Sequence, residues 1–221
     1  MVNGVCAVTV LNRAILIEFG GYVRKLALLF LCSCFAIAIS AHAQQFDVQF
    51  GVSGIHSQSA SNFDITNLNN APQSLSGGIY PSFGADFTLL HNLGVGGEVS
   101  WKASKSLYQG VLDYRPIFWD INAVYAKKVT RVGFALMAGI GGESTRFYQD
   151  TCVSVNFNGQ CQNFISSNHF LTHLGGALRL YPTHSVYIAP EIHYYYVKNN
   201  VEFTSPNVVR YSLNIGYTFG K

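Results

Sequence analysis

From residue 46 onward, large apolar and small polar positions alternate one by one. Phe46, Val48, Phe50 and Val52 are separated by Asp47, Gln49 and Gly51. The rhythm continues in 75–89, where Leu75, Ile79, Phe83, Phe87 and Leu89 lie against Ser76, Ser82, Asp86 and Thr88. It recurs with Val95, Val99 and Trp101 against Glu98, Ser100 and Lys102, and with Ile117, Trp119, Ile121 and Tyr125 against Asp120 and Asn122. Further stretches set Phe134, Leu136 and Ile140 against Gly133, Gly139 and Gly141, and Phe170, Leu174, Leu178 and Leu180 against His173, Gly175 and Arg179. The last two set Ile188, Ile192, Tyr194 and Tyr196 against Glu191 and His193, and Tyr211, Leu213, Ile215, Tyr217 and Phe219 against Ser212, Asn214, Gly216 and Thr218. A period of two is the signature of strands with two distinct faces. It predicts about eight strands of roughly 10–14 residues, the length that crosses a bilayer when tilted.

The predicted connections alternate in length. Short ones fall near 90–94, 127–131 and 181–185, longer ones near 57–74, 104–113, 145–168 and 198–207. Short turns at one end and long loops at the other describe an all-β, eight-stranded antiparallel up-and-down transmembrane barrel, with both termini on the short-turn, periplasmic side. No run of 18 apolar residues follows residue 43, so no transmembrane helix is predicted.

The polar set decides which face is which. Asp86, Glu98, Lys102, Asp120, Arg179 and Glu191 all belong to it. Facing lipid, a charge costs about 2–4 kcal/mol near the midplane. The polar face therefore points inward, and those six residues are the candidate lumen ion-pair network, with Arg179 expected to meet Glu191 and Glu98. A soluble sandwich or lipocalin-like barrel would invert the pattern. Composition agrees: charged residues are 11% and hydrophobic ones 49%, too few charges for an ordinary soluble surface. A net charge of +3 with no basic stripe points to no nucleic-acid partner.

The front of the chain reads as an export signal. Arg24 and Lys25 precede the apolar stretch "LALLFLCSCFAIAIS", which ends in Ala41-His42-Ala43. This divides the chain into 1–22, a mis-annotated or extended N-terminus, 23–43, the signal peptide, and 44–221, the barrel. Translation from Val23 and an unusually long n-region from Met1 both remain open. Of the five cysteines, Cys152 and Cys161 stay in the exported chain, where an oxidising compartment favours a disulfide between them.

The ending "YSLNIGYTF" resembles the C-terminal signal of outer-membrane barrels, an alternating strand closed by an aromatic. Gly220 and Lys221 follow Phe219, a small departure from that pattern. With the eight-strand plan, 44–221 resembles the OmpA-type or opacity-type outer membrane protein beta-barrel domain family. The resemblance implies the outer membrane of a Gram-negative-type bacterium, contact with its lipid and lipopolysaccharide, and a monomer. It also implies handling by the barrel-assembly machinery through Tyr211, Leu213, Ile215, Tyr217 and Phe219.

Function is less legible. The primary reading is a membrane-structural protein with surface recognition, adhesion-like, carried by the loops at 57–74 and 145–168, since binding concentrates on loops held by a rigid scaffold. A small passive porin-like channel is the alternative. A lipid-modifying enzyme is the third reading: some eight-stranded barrels are lipid A deacylases with an H-x-S pair on a late strand. Here His193 is followed two residues on by Tyr195, so the acyl-transfer nucleophile is missing, and no catalytic residue is assigned. His169 and His173 are read as ordinary lumen or rim residues. No metal or cofactor is expected.

Overall fold

The computed structural model describes residues 45–57, 74–90, 92–108, 112–152, 154–155, 161–200, 202–203 and 205–220. The signal-peptide reading at 23–43, the extended N-terminus at 1–22 and most of the 57–74 loop lie outside them. The described elements are all strands: β1 (Gln45–Ser57), β2 (Ile79–Leu90), β3 (Leu93–Trp101), β4 (Ser106–Tyr108), β5 (Leu112–Val129), β6 (Val132–Tyr148), β7 (Ser154–Val155), β8 (Cys161–Gln162), β9 (Phe164–Leu180), β10 (Val186–Val197) and β11 (Asn207–Phe219).

Eight of them form one closed antiparallel barrel. The sheet runs β3-β2-β1-β11-β10-β9-β6-β5, and β3 pairs again with β5 to close it. The first and last strands meet at a seam, with Phe46 opposite Phe219 and Ser57 opposite Val208. β4 extends the sheet beyond β5, and β7 and β8 form a separate two-stranded ribbon. Among the described residues, closure leaves the eight barrel strands without the open edge that hydrocarbon would not tolerate.

Alternation carries the sequence pattern into three dimensions. Phe50, Ile121, Leu174 and Ile215 stand on the outer wall, 56%, 63%, 59% and 62% exposed, whereas Arg179, Asp120, His193 and Asn214 on the opposite face are buried. An apolar exterior around an ionised interior is the arrangement of a barrel immersed in lipid. The aromatic rings at the seam pack on each other, Phe46 against both Phe87 and Phe219.

The long-loop end departs from the predicted boundaries. β6 and β9 stay paired out to Tyr148 and Phe164, so much of the expected 145–168 loop is strand. Leu75, placed by simple alternation on the outer face, is instead fully buried. Gly77 and Gly78 both have positive φ, 86° and 89°, and turn the chain before β2 begins, which breaks the rhythm at that point.

Candidate functional site

Four levels of side chains fill the lumen. At the level nearest the short turns, Asp47 and Asp86 stand directly opposite each other on β1 and β2. Like charges so placed repel. Arg179, reaching from β9, resolves this by donating Nη1 to Asp47 Oδ2 at 2.6 Å and Nη2 to Asp86 Oδ2 at 2.5 Å. The Tyr187 ring lies 5.0 Å from the guanidinium, and Gln45 Nε2 donates to both Asp47 oxygens at 2.9 Å. The expectation that Arg179 meets Glu191 and Glu98 is thus corrected. Its fork takes the two carboxylates of the first hairpin, and a second arginine, Arg210 on β11, takes Glu98 Oε2 instead.

The central level is larger and less balanced. Glu98 from β3, Glu191 and His193 from β10, and Arg210 and Ser212 from β11 meet Asp120 and Asn122 from β5 and His173 from β9. Asn122 Nδ2 donates to Asp120 Oδ1 at 2.5 Å, and its Oδ1 lies 2.6 Å from His173 Nδ1. His173 Nε2 lies 3.0 Å from His193 Nδ1, and His193 Nε2 lies 3.0 Å from Glu191 Oε2. Gly175 makes the ring contact possible, because a Cβ there would stand 2.9 Å from His173 Nε2 and 3.2 Å from His193 Nδ1. Tyr195 Oη reaches Asp120 Oδ2 at 3.3 Å and its ring stacks on Phe118.

Above this, Lys102 stands apart from the carboxylates. Its ammonium lies 4.8 Å from the Tyr114 ring centroid and 5.9 Å from that of Tyr80, and 3.4 Å from Tyr114 Oη. The polar pattern assigns it to the ion-pair network; the structure sets the cation against aromatic faces instead. Glu143 accepts from Thr145 Oγ1 at 2.6 Å at the same end.

The mouth on the long-loop side is closed by rings. Tyr108, Tyr114, Phe147 and Phe203 meet with centroids 5.0–6.4 Å apart. Ile55, Leu171, Val197 and Val208 pack in the same apolar cluster, and Phe203 is 3% exposed. The connection carrying Phe203 is tied down twice. Tyr108 Oη donates to the Glu202 carbonyl at 2.8 Å, and the Glu202 carboxylate meets Ser167 Oγ at 2.5 Å and His169 Nε2 at 2.7 Å. Partial burial opposes the Glu202 charge, but the hydrogen bonds from Ser167 and from its own backbone, together with His169, hold its carboxyl below the usual range.

Outside the barrel, Cys152 and Cys161 are bonded to each other, Cα atoms 5.5 Å apart, at the β7–β8 ribbon. Tyr211, Leu213, Ile215, Tyr217 and Phe219 face outward from β11. Sequence reasoning missed Arg210, Asp47 and Glu143 as members of the interior network. The aromatic cap was missed too, since Phe203 and Tyr108 belong to connections rather than to predicted strands.

No protein-family model matches this chain, and no curated protein matches it. Solved structures do match. Ail, the attachment invasion locus protein of Yersinia pestis, aligns with TM-score 0.51 and 14% identity over 81% of this chain and 100% of that one. Neisserial surface protein A aligns with TM-score 0.51 and 14% identity over 80% and 97%. A major outer membrane protein from Thermus thermophilus aligns with TM-score 0.53 and 15% identity over 80% and 100%. At these identities the likeness is one of fold, and the fold is that of the eight-stranded outer-membrane barrels.

Proposed function

We propose that this chain is an integral outer-membrane protein whose barrel is a closed, non-conducting scaffold and whose working surface is the long-loop end, in an adhesion-like role. The carrying observation is the stopper of Tyr108, Tyr114, Phe147 and Phe203 above a lumen already filled by ion pairs. At the other mouth, the pocket bordered by Gln45, Lys127, Arg179 and Tyr181 has a free volume of only about 10 Å³, room for about one water. Planar-bilayer recording tests the scaffold reading: silence is expected, and steady unitary currents would replace it with the porin-like reading.

Surface recognition rests on where the chain spends its stabilising devices. The Cys152–Cys161 disulfide and the β7–β8 pairing tie together the ends of one connection outside the barrel wall, and Glu202 is held at the mouth by His169. Rigid loops lose less entropy on binding a partner. Ail has been solved in complex with the heparin analogue sucrose octasulfate, which makes a sulfated glycan a reasonable first probe. Cells displaying this protein should lose adherence to a heparin-coated surface when 153–160 is replaced by a short Gly-Ser linker. Equal adherence with and without that segment would refute the loop reading.

Lipopolysaccharide contact has its own support. Arg115 and Arg146 are cross-strand partners on β5 and β6, on the outer wall near the long-loop end. Two like charges directly opposite are destabilising alone, and a lipid phosphate between them would relieve the repulsion. The C-terminal face from Tyr211 to Phe219 is outward and apolar, so it is free to be read by assembly machinery before closure.

The reading is also non-enzymatic. His193 is fully buried in the lumen, and the hydroxyl nearest its Nε2, Ser212 Oγ at 3.4 Å, lies on that same inner face, away from any acyl chain in the bilayer. An assay of lipid A acyl-chain release should show none.

A further inference from the structure

We propose that Glu98, Glu191 and His193 form a binding site for one divalent first-row transition-metal ion of the zinc class inside the barrel. One ligand atom from each lies within 4.8 Å of the other two. First-row metals hold carboxylate oxygen and imidazole nitrogen at about 2.0–2.2 Å, so small side-chain rotations bring the three donors onto one ion.

Hydrogen-bond direction supplies an independent observation. The Asn122 amide nitrogen faces Asp120 and its oxygen faces His173 Nδ1; an amide oxygen only accepts, so His173 Nδ1 donates. A neutral His173 then accepts at Nε2, and the proton in that contact comes from His193 Nδ1. This leaves His193 Nε2 as a lone pair, aimed at Glu191 Oε2 at 3.0 Å and Glu98 Oε2 at 3.9 Å. A lone pair facing two carboxylates is repulsive unless a proton or a metal cation lies between them. A metal-bound histidine almost always donates its other ring N–H to a fixed acceptor, and the relay from His193 through His173 and Asn122 to Asp120 has that form.

Two further facts fit. Glu98 Oε1 and Glu191 Oε1 are buried and close no hydrogen bond of ordinary geometry, although the Asn214 amide lies beside Glu191. Composition points the same way: three carboxyl groups, Glu98, Glu191 and Asp120, share this level with one guanidinium, Arg210, and a divalent ion would let the carboxylates that hold it stay ionised. Ser212 Oγ, at 3.4 Å, is the other polar group facing His193 Nε2. Because Glu98 stands on β3 and the other two ligands on β10, the ion would tie together strands separated in the sheet by β2, β1 and β11.

The test uses the full barrel, stripped with EDTA under denaturing conditions and refolded into detergent micelles with Zn²⁺ or Co²⁺ present. One equivalent of Zn²⁺ retained through gel filtration is expected, with visible d–d absorption for the Co²⁺ form and a melting temperature raised by several degrees. Glu191→Gln and His193→Gln should each lose the metal while still migrating as heat-modifiable folded barrels. His169→Gln, beside Glu202 at the rim, should keep it. Should either interior variant fail to fold, Glu98→Gln serves the same purpose. Retention far below one equivalent in the wild type, or unchanged retention in a folded interior variant, would overturn the proposal.

Discussion

The two ionic levels of the lumen answer the same problem differently. Near the short turns, Asp47 and Asp86 share one arginine whose two arms are both used, so each charge has a short, direct partner. At the centre, Glu98 has Arg210, but Glu191 is met by His193 and Gln49 and Asp120 by Asn122 and Tyr195, none of them an arginine or lysine, and several polar atoms close no contact. The first level gives each of its carboxylates one guanidinium arm and behaves as a structural clamp. The second gathers more carboxyl groups than cations, which marks it as the place where something besides packing is accommodated.

Breaking the clamp should have the largest effect. Arg179→Met keeps the volume but leaves two opposed carboxylates without a cation, and a loss of about 3–5 kcal/mol is expected in urea unfolding from detergent. A loss under ~1 kcal/mol would mean that the clamp is no more complete than the centre. Asp86→Asn, which weakens one arm, should cost less, about 1–3 kcal/mol. In metal-free buffer Glu191→Gln should be neutral or stabilising by up to ~1 kcal/mol, because it removes a buried carboxyl that has no short contact to an arginine or lysine. A penalty as large as that of Asp86→Asn would erase the distinction between the levels. The smallest effect lies at the rim. Glu202 is held below the ordinary glutamate value of 4.5, so its contribution is fully present above that value and is lost as the pH falls through the lowered one. Protease nicking at 198–206 should therefore rise on acidification below about pH 4.5, in the wild type but not in Glu202→Gln.

The comparison also shows what a sequence read by itself delivers here. Face assignment is almost wholly legible, because a strand has only two faces and lipid tolerates ions on neither edge nor exterior. Asp86, Glu98, Asp120, Arg179 and Glu191 all lie inside. Partner choice is not legible. Arg179 meets Asp47 across 132 positions, and Arg210 meets Glu98 across 112. Which groups share a level depends on the stagger of the whole sheet, which no local pattern encodes. Arg210 was overlooked for a simpler reason: β11 begins at Asn207, ahead of the point where the alternation becomes obvious at Tyr211. The aromatic cap is built by Phe203 and Tyr108 from connections, and loop residues have no period from which to infer direction.

The seam between β1 and β11 carries a consequence for how the molecule comes into being. Asp47 arrives with the first strand and Arg210 with the last, so neither interior level is satisfied while the sheet is still an open ribbon. A half-inserted intermediate would expose bare ions to acyl chains at several kcal/mol each. Insertion and curling must then advance together, and the partly built cylinder is a state the bilayer itself rejects.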